Sequence, residues 1–233
     1  MKKDSYLPII AIIGVDGSGK STVTAEICEW LKGDYPVRSC HLGRQTGTIG
    51  RKIAKLPLLG KKLDKKISGK SHAARAEQGP KAGVALVIFL LSLRRVYRFY
   101  KMLRLKKQGF LIVTDRYPQT SVIGGLDGPD LTVDYPKSLI ARFLTRCERR
   151  LYNWMVSHKP DLVIRLNVDL ETAMQRKPDH RLHSMERKIA TFDQITFNGA
   201  PIVDLYSHKQ PLAEMIQEAK KRIASILPQK ISN

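Results

Sequence analysis

Short runs of branched apolar residues alternate along this chain with longer stretches in which apolar positions return every three or four residues. Residues 8–13, 35–42, 111–114, 161–168 and 201–205 are of the first kind, and each predicts a strand. Unbroken apolarity, as in 8–13, is typical of a strand buried on both faces. Residues 21–31 are of the second kind, with Val23, Ile27, Trp30 and Leu31 in helical register before Gly33. The same spacing predicts helices over 84–107, closed by Gly109, over 138–158, over the short stretch 170–176, and over 211–227. Residues 43–81 are rich in Gly and Lys with weak periodicity and read as short helices and exposed loops. Residues 177–188 are charged and polar and read as a mobile segment. Apolar strands alternating with helices imply an α/β fold, a central parallel sheet of about five strands with helices on both faces. We expect residues 1–233 to form a single domain, with a basic insertion over 43–81 and a short lid over 176–188.

The first strand runs into Gly14-Val15-Asp16-Gly17-Ser18-Gly19-Lys20-Ser21-Thr22, which fits G-x-x-x-x-G-K-[ST] at each fixed position. Its glycines let backbone N–H groups converge on an anion at a helix N-terminus, where the dipole also favours negative charge. Residues 14–22 are therefore the candidate nucleotide-phosphate site. Lys20 is placed to reach the β- and γ-phosphates and the Ser21 hydroxyl to ligate Mg²⁺. The bland reading is a Gly-rich turn without a ligand. An N-K-x-D guanine motif and an L-S-G-G-Q signature are both absent from the sequence, and the chain is short for a motor domain. What remains is a compact P-loop kinase fold using ATP and Mg²⁺.

The third predicted strand runs directly into Asp115-Arg116-Tyr117-Pro118. At the C-terminal edge of a parallel sheet this brings a carboxylate and a guanidinium beside the phosphate loop. Asp115 can orient Mg²⁺ or the incoming nucleophile, and Arg116 can hold an anionic acceptor bidentately. A plain strand-end ion pair is the alternative.

With these two motifs in order, the chain resembles the thymidylate kinase-like branch of the P-loop nucleoside monophosphate kinases. Residues 14–22 look like that family's phosphate loop, and Asp115-Arg116-Tyr117 like its Asp/Glu-Arg-Tyr/Phe motif. Residues 160–169 are similar to its fourth strand and the helix entry that follows, with weaker echoes at Arg44-Gln45-Thr46-Gly47-Thr48 and Val203-Asp204. The resemblance implies Mg²⁺-dependent transfer of the ATP γ-phosphoryl group to a nucleoside monophosphate of the dTMP type. It implies that Arg116 and Arg44 hold the acceptor phosphate, that Asp16 approaches the acceptor sugar hydroxyl, and that Ser21 and Asp115 serve the metal. It implies lid arginines, Arg176 and Arg181 first among them, closing over the transferring group, and a homodimer. The chain departs from the family after Tyr117. Where thymidylate kinases continue through a Ser and an Ala-Tyr-Gln, residues 118–129 form a Gly-rich, loop-like stretch. A kinase acting on a nucleoside or another small metabolite is the alternative that this departure keeps open.

Charge adds a further class of partner. The chain of 233 residues carries a net charge of +20. Residues 51–107 hold 17 basic side chains against Asp64 and Glu77. Such a field favours polyanions: nucleotide phosphates, nucleic acid or an anionic membrane surface. A weakly catalytic nucleotide-binding protein docked on one of these is the alternative from a different class. Within the long helix, Val96, Phe99, Tyr100 and Leu103 share one face and Arg94, Arg95, Arg98 and Lys101 lie opposite. We expect a core helix, buried on most sides over 84–93, with a solvated basic end. An oligomer interface is a further reading of it.

Three cysteines without C-x-x-C spacing argue against a disulfide framework and for a reducing, cytoplasmic setting. Met1-Lys2-Lys3 and the apolar run behind it resemble a signal peptide, yet a phosphate loop follows in place of a cleavage site. His180 and His183, near Asp179 and Glu186, have no third His or Cys at useful spacing, so zinc is not expected there.

Overall fold

The computed structural model describes residues 6–43, 82–131 and 138–228. Five strands, β1 (Ile9–Gly14), β2 (Val37–His41), β3 (Leu111–Asp115), β4 (Leu162–Asn167) and β5 (Ile202–Tyr206), form one sheet in the order β2-β3-β1-β4-β5. Each ladder is parallel. Parallel neighbours need crossover connections, and helices run through them. These are α1 (Lys20–Lys32), α2 (Ala82–Lys107), α3 (Leu139–Ser157), α4 (Leu170–Arg176), α5 (Leu182–Ala190) and α6 (Leu212–Ala224). The α/β class, the five strands and the P-loop kinase architecture agree with the sequence reading.

Strand β1 is buried over its whole length, with β3 on one side and β4 on the other. Its side chains divide between two cores. Ile9, Ala11 and Ile13 pack with Phe99 and Met102 of α2 and Tyr152 and Met155 of α3. Ile10 and Ile12 pack with Val23, Ile27 and Leu31 of α1 and Met215, Ala219 and Ile223 of α6. Full burial of each large apolar side chain contributes roughly 1.5–3 kcal/mol, so the two layers clamp β1 firmly. A rigid β1 fixes where the loop after Gly14 begins.

Three expectations need correction. The segment 177–188 is not irregular throughout, since α5 occupies Leu182–Ala190 with Met185 buried against the main core. Met185, Ile189 and Phe192 supply a helical apolar stripe that the surrounding charges obscure. The apolar start of α2 is not buried on most sides: Leu86, Leu90 and Leu93 are 48%, 55% and 39% exposed. Arg95, expected on the solvated face, is instead fully buried. A helix apolar on several faces does not say which of them the tertiary structure covers.

Arg44 and, apart from Gly43, the expected insertion over 43–81 lie outside the described residues. Among the described residues, no helix is long and apolar enough to cross a membrane.

Candidate functional site

The chain leaves β1 at Gly14 and turns through Val15–Gly19 into α1. Two glycines are required here by geometry. A Cβ on Gly14 would stand 2.2 Å from Ser18 Oγ, and Gly17 has φ +88° with the Ala173 carbonyl oxygen 3.0 Å from any Cβ it might carry. Lys20 opens α1, is 8% exposed, and donates from Nζ to the Val15 carbonyl at 3.3 Å. Burial lowers its pKa, Arg116 adds to that push, and Asp16 and Asp115 oppose it. Ser21 and Thr22 are exposed at the mouth of the loop. Ser18 Oγ is buried with no hydrogen-bond partner. A loop wrapped around a cation and feeding a helix N-terminus is shaped for a polyphosphate.

Strand β3 delivers the next groups. Asp115 lies in register with Ile12 of β1 and His41 of β2, at the sheet edge beside the phosphate loop. His41 Nδ1 lies 2.8 Å from Asp115 Oδ2, whereas Oδ1 is buried and without a partner. A buried, unpartnered carboxylate oxygen is costly unless something binds it. Together with Ser21 at the loop mouth, that oxygen fits a hard divalent cation such as Mg²⁺, which takes oxygen ligands and keeps several waters.

Arg116 follows with φ 73°, a left-handed conformation uncommon for a residue with a side chain. Its backbone N–H donates to the Ile12 carbonyl, and the turn swings the guanidinium back over the loop. There Nη2 meets Asp16 Oδ1 and Nη1 meets Asp127 Oδ2, both at 3.2 Å. The charge of Asp127, against the effect of burial and with help from Asp16, raises the Arg116 pKa above its ordinary value. Asp16 is also held by Lys188 Nζ at 2.6 Å, with His180 Nδ1 at 3.8 Å. Burial alone would raise the Asp16 pKa. The hydrogen bond and charge of Lys188, with Arg116 and Lys20, outweigh it and keep the carboxyl well below the usual carboxylate range.

The two arginines expected in a lid stand apart. Arg176 Nη1 donates to the Gly17 carbonyl at 3.0 Å, and its Nη2 to the Ser207 carbonyl at 3.3 Å. It thus braces the phosphate loop against the segment after β5. Arg181 is exposed at the N-terminus of α5. Lys20, Asp16, Asp115 and Arg116 therefore converge, Arg176 supports the loop from its far side, and Arg181 does not reach the cluster.

Sequence reasoning passed over Lys188, His41 and Asp127, weighed His180 only as a zinc ligand, and placed Arg95 on the solvated face of its helix. Lys188 fell inside the expected lid without distinguishing spacing. His41 carried one signal, its position at the C-terminal end of a strand. Asp127 stood in the Gly-rich stretch 118–129, where flanking glycines pointed only to a loop.

The family model for thymidylate kinase matches residues 12–203. A relative from Escherichia coli K12, the uncharacterised ATP-binding protein YghS, is 42% identical over 94% of this chain and 93% of its own length. A probable thymidylate kinase of Archaeoglobus fulgidus is 25% identical over 94% of this chain and 96% of its own. Among solved structures, the deoxyadenosine kinase of M. mycoides with bound dCTP aligns with TM-score 0.50 at 15% identity, covering 94% of this chain and 100% of that one. The last likeness concerns the fold alone. Because the family match begins within β1 and ends within β5, enclosing both the loop and the strand-end motif, this chain belongs to the thymidylate kinase family.

Proposed function

We propose that this protein transfers the γ-phosphoryl group of Mg²⁺-bound ATP to a small acceptor of nucleoside type seated against Arg116 and the 117–131 loop. Membership of the thymidylate kinase family supports a kinase in the coarse sense, and it makes a nucleoside monophosphate of the dTMP type the first acceptor to test. The observation that carries the reading is the convergence of Lys20, Asp16, Asp115 and Arg116 at one end of β1 and β3. Phosphoryl transfer asks mainly for positioning and charge neutralisation, and this cluster supplies both. An acceptor oxygen forms the new bond to the γ-phosphorus as the bond to the ADP oxygen breaks and its electron pair leaves with ADP. The proton of a hydroxyl acceptor passes to the Asp115 carboxylate, while an ionised phosphate oxygen arrives without one. Mg²⁺, when bound by Asp115 and Ser21, neutralises charge on the phosphates. A cytoplasmic setting belongs to this reading and is supported by the free Cys28, Cys40 and Cys147.

The test is ATP consumption with Mg²⁺ across a panel of nucleosides and nucleoside monophosphates, dTMP included. Turnover with one acceptor is expected. Silence across the whole panel from protein that binds ATP would contradict the reading.

A second reading, docking on an anionic membrane or nucleic acid, is favoured by one observation. Helix α2 carries no acidic side chain, and exposed Arg94, Lys101 and Arg104 lie along it with exposed Leu90, Tyr97 and Tyr100. The same exposed stripe is the face on which a homodimer is proposed. Co-sedimentation with anionic vesicles, retention on DNA at rising salt, and the mass in solution separate these partners.

A further inference from the structure

Strand β2 ends on His41, the residue in register with Asp115 across the β2–β3 ladder. The ring Nδ1 lies 2.8 Å from Asp115 Oδ2. An ionised carboxylate only accepts hydrogen bonds, so in this pair Nδ1 carries the proton and donates. Backbone holds the ring in place. The Arg98 guanidinium, from α2, donates through Nη1 to the His41 carbonyl at 3.3 Å and through Nη2 to the Gly43 carbonyl. The Leu42 N–H donates to the Asp115 carbonyl at 3.0 Å, which carries the pairing of the two segments one residue past His41. Gly43 closes the far side of the ring. A Cβ there would stand 2.7 Å from His41 Nε2 and 2.6 Å from Arg116 Cδ, so glycine lets both side chains lie against the same stretch of backbone.

This arrangement makes the two oxygens of Asp115 unlike. Oδ2 is taken by His41, whereas Oδ1 is buried with no hydrogen-bond partner. The χ2 torsion of an aspartate is broad and roughly two-fold, so an untethered carboxylate would exchange its oxygens. Neighbouring cations do not tether it: Lys20 donates to the Val15 carbonyl, and the terminal nitrogens of Arg116 meet Asp16 and Asp127. Among the described residues, the hydrogen bond to this carboxylate comes from His41 alone. Outer partners of this kind orient metal-ligating carboxylates, and their loss typically costs about 10–100-fold in metal affinity or activity.

We propose that His41 is a positioning residue: through Nδ1 it holds Asp115 so that Oδ1 is the oxygen offered to Mg²⁺, and the metal affinity of the nucleotide-loaded site depends on it. This rests on the phosphotransferase reading and adds a residue behind its metal site.

Metal binding tests it without requiring turnover. Mn²⁺, which suits the same oxygen ligands and is followed by its electron paramagnetic resonance signal, is titrated into full-length protein loaded with a non-hydrolysable ATP analogue. His41→Ala is expected to weaken Mn²⁺ binding by about tenfold or more, with binding of the metal-free analogue little changed. His41→Asn, whose amide N–H can stand where Nδ1–H stood, should recover most of that loss. His41→Leu, with a methyl group there, should not, and it must show the loss by itself should His41→Ala fail to fold. Unchanged Mn²⁺ affinity in the Ala and Leu variants overturns the proposal. So does an equal loss in the Asn and Leu variants, which is what a merely structural role at the strand end would give. Failure of the phosphotransferase reading looks different: the wild-type protein does not bind the analogue, or Asp115→Asn binds Mn²⁺ as tightly as the wild type. Either result would remove the proposal together with that reading.

Discussion

On the side of the site proposed for ATP, the surface is backbone. Gly14 and Gly17 clear the space, Gly19 turns the chain into α1, and Lys20 is wrapped by the loop it serves. On the side proposed for the acceptor the surface is side chain. Asp16, Asp127, Arg95, Arg116 and Lys188 neutralise one another in a partly buried network, and the 117–131 loop spends strain to hold one carboxylate in place. The difference teaches that phosphate binding by backbone needs a fixed local pattern, because the N–H groups come from consecutive residues. Acceptor recognition by side chains draws on elements far apart in the chain and leaves no compact pattern. A donor half is therefore readable from local pattern where an acceptor half is not.

The comparison can be broken most directly at Lys20. Lys20→Ala should lower turnover by about 10²–10³-fold with the fold intact by circular dichroism, since it removes a cation that stabilises the transferring group. Retained activity would rule out the phosphate-loop mechanism. Arg116→Ala sharpens it from the other side. Acceptor KM should rise by about 10–100-fold with much less change in ATP binding. Equal losses for both ligands would argue against an acceptor role for this residue.

Next comes the loop itself. Gly128→Ala forces a Cβ onto the Val122 carbonyl and should cost about 1–3 kcal/mol in urea unfolding, with acceptor binding hit harder than ATP binding. Unchanged stability would mean that the turn is not closed as described.

The smallest effect is on pH dependence. Asp204 is held low chiefly by its hydrogen bonds from Arg165, and Asp16 by Lys188 and Arg116 against the contrary effect of burial. A carboxylate with a depressed folded-state pKa stabilises fully above its unfolded value, about 3.9, and loses that contribution as pH falls through the folded value. Unfolding free energy should therefore stay level from pH 7 to about 5 and decline below about 4, and Asp204→Asn should flatten part of the decline. A wild-type protein equally stable at pH 3 and pH 7 would contradict these shifts.

The five strands, the order of the helices, the phosphate loop and the Asp115-Arg116 corner were all legible in the sequence. Each depends on short-range rules: unbroken β-branched runs for buried strands, three-to-four spacing for helices, glycines and a lysine at fixed offsets. Helix α5 was missed because Met185 and Ile189 stand among charges, and burial of a narrow stripe is decided by what packs over it. Arg95 reads as one more cation in a basic run. Only the folding of 117–131 over α2, with Asp127 and Tyr152 waiting there, turns it into a fully buried charge. Local pattern thus settled the fold and the phosphate loop's shape, because neighbours in sequence make them. Tertiary structure decided which charges meet, because a burial cost is met only by a partner brought from elsewhere in the chain.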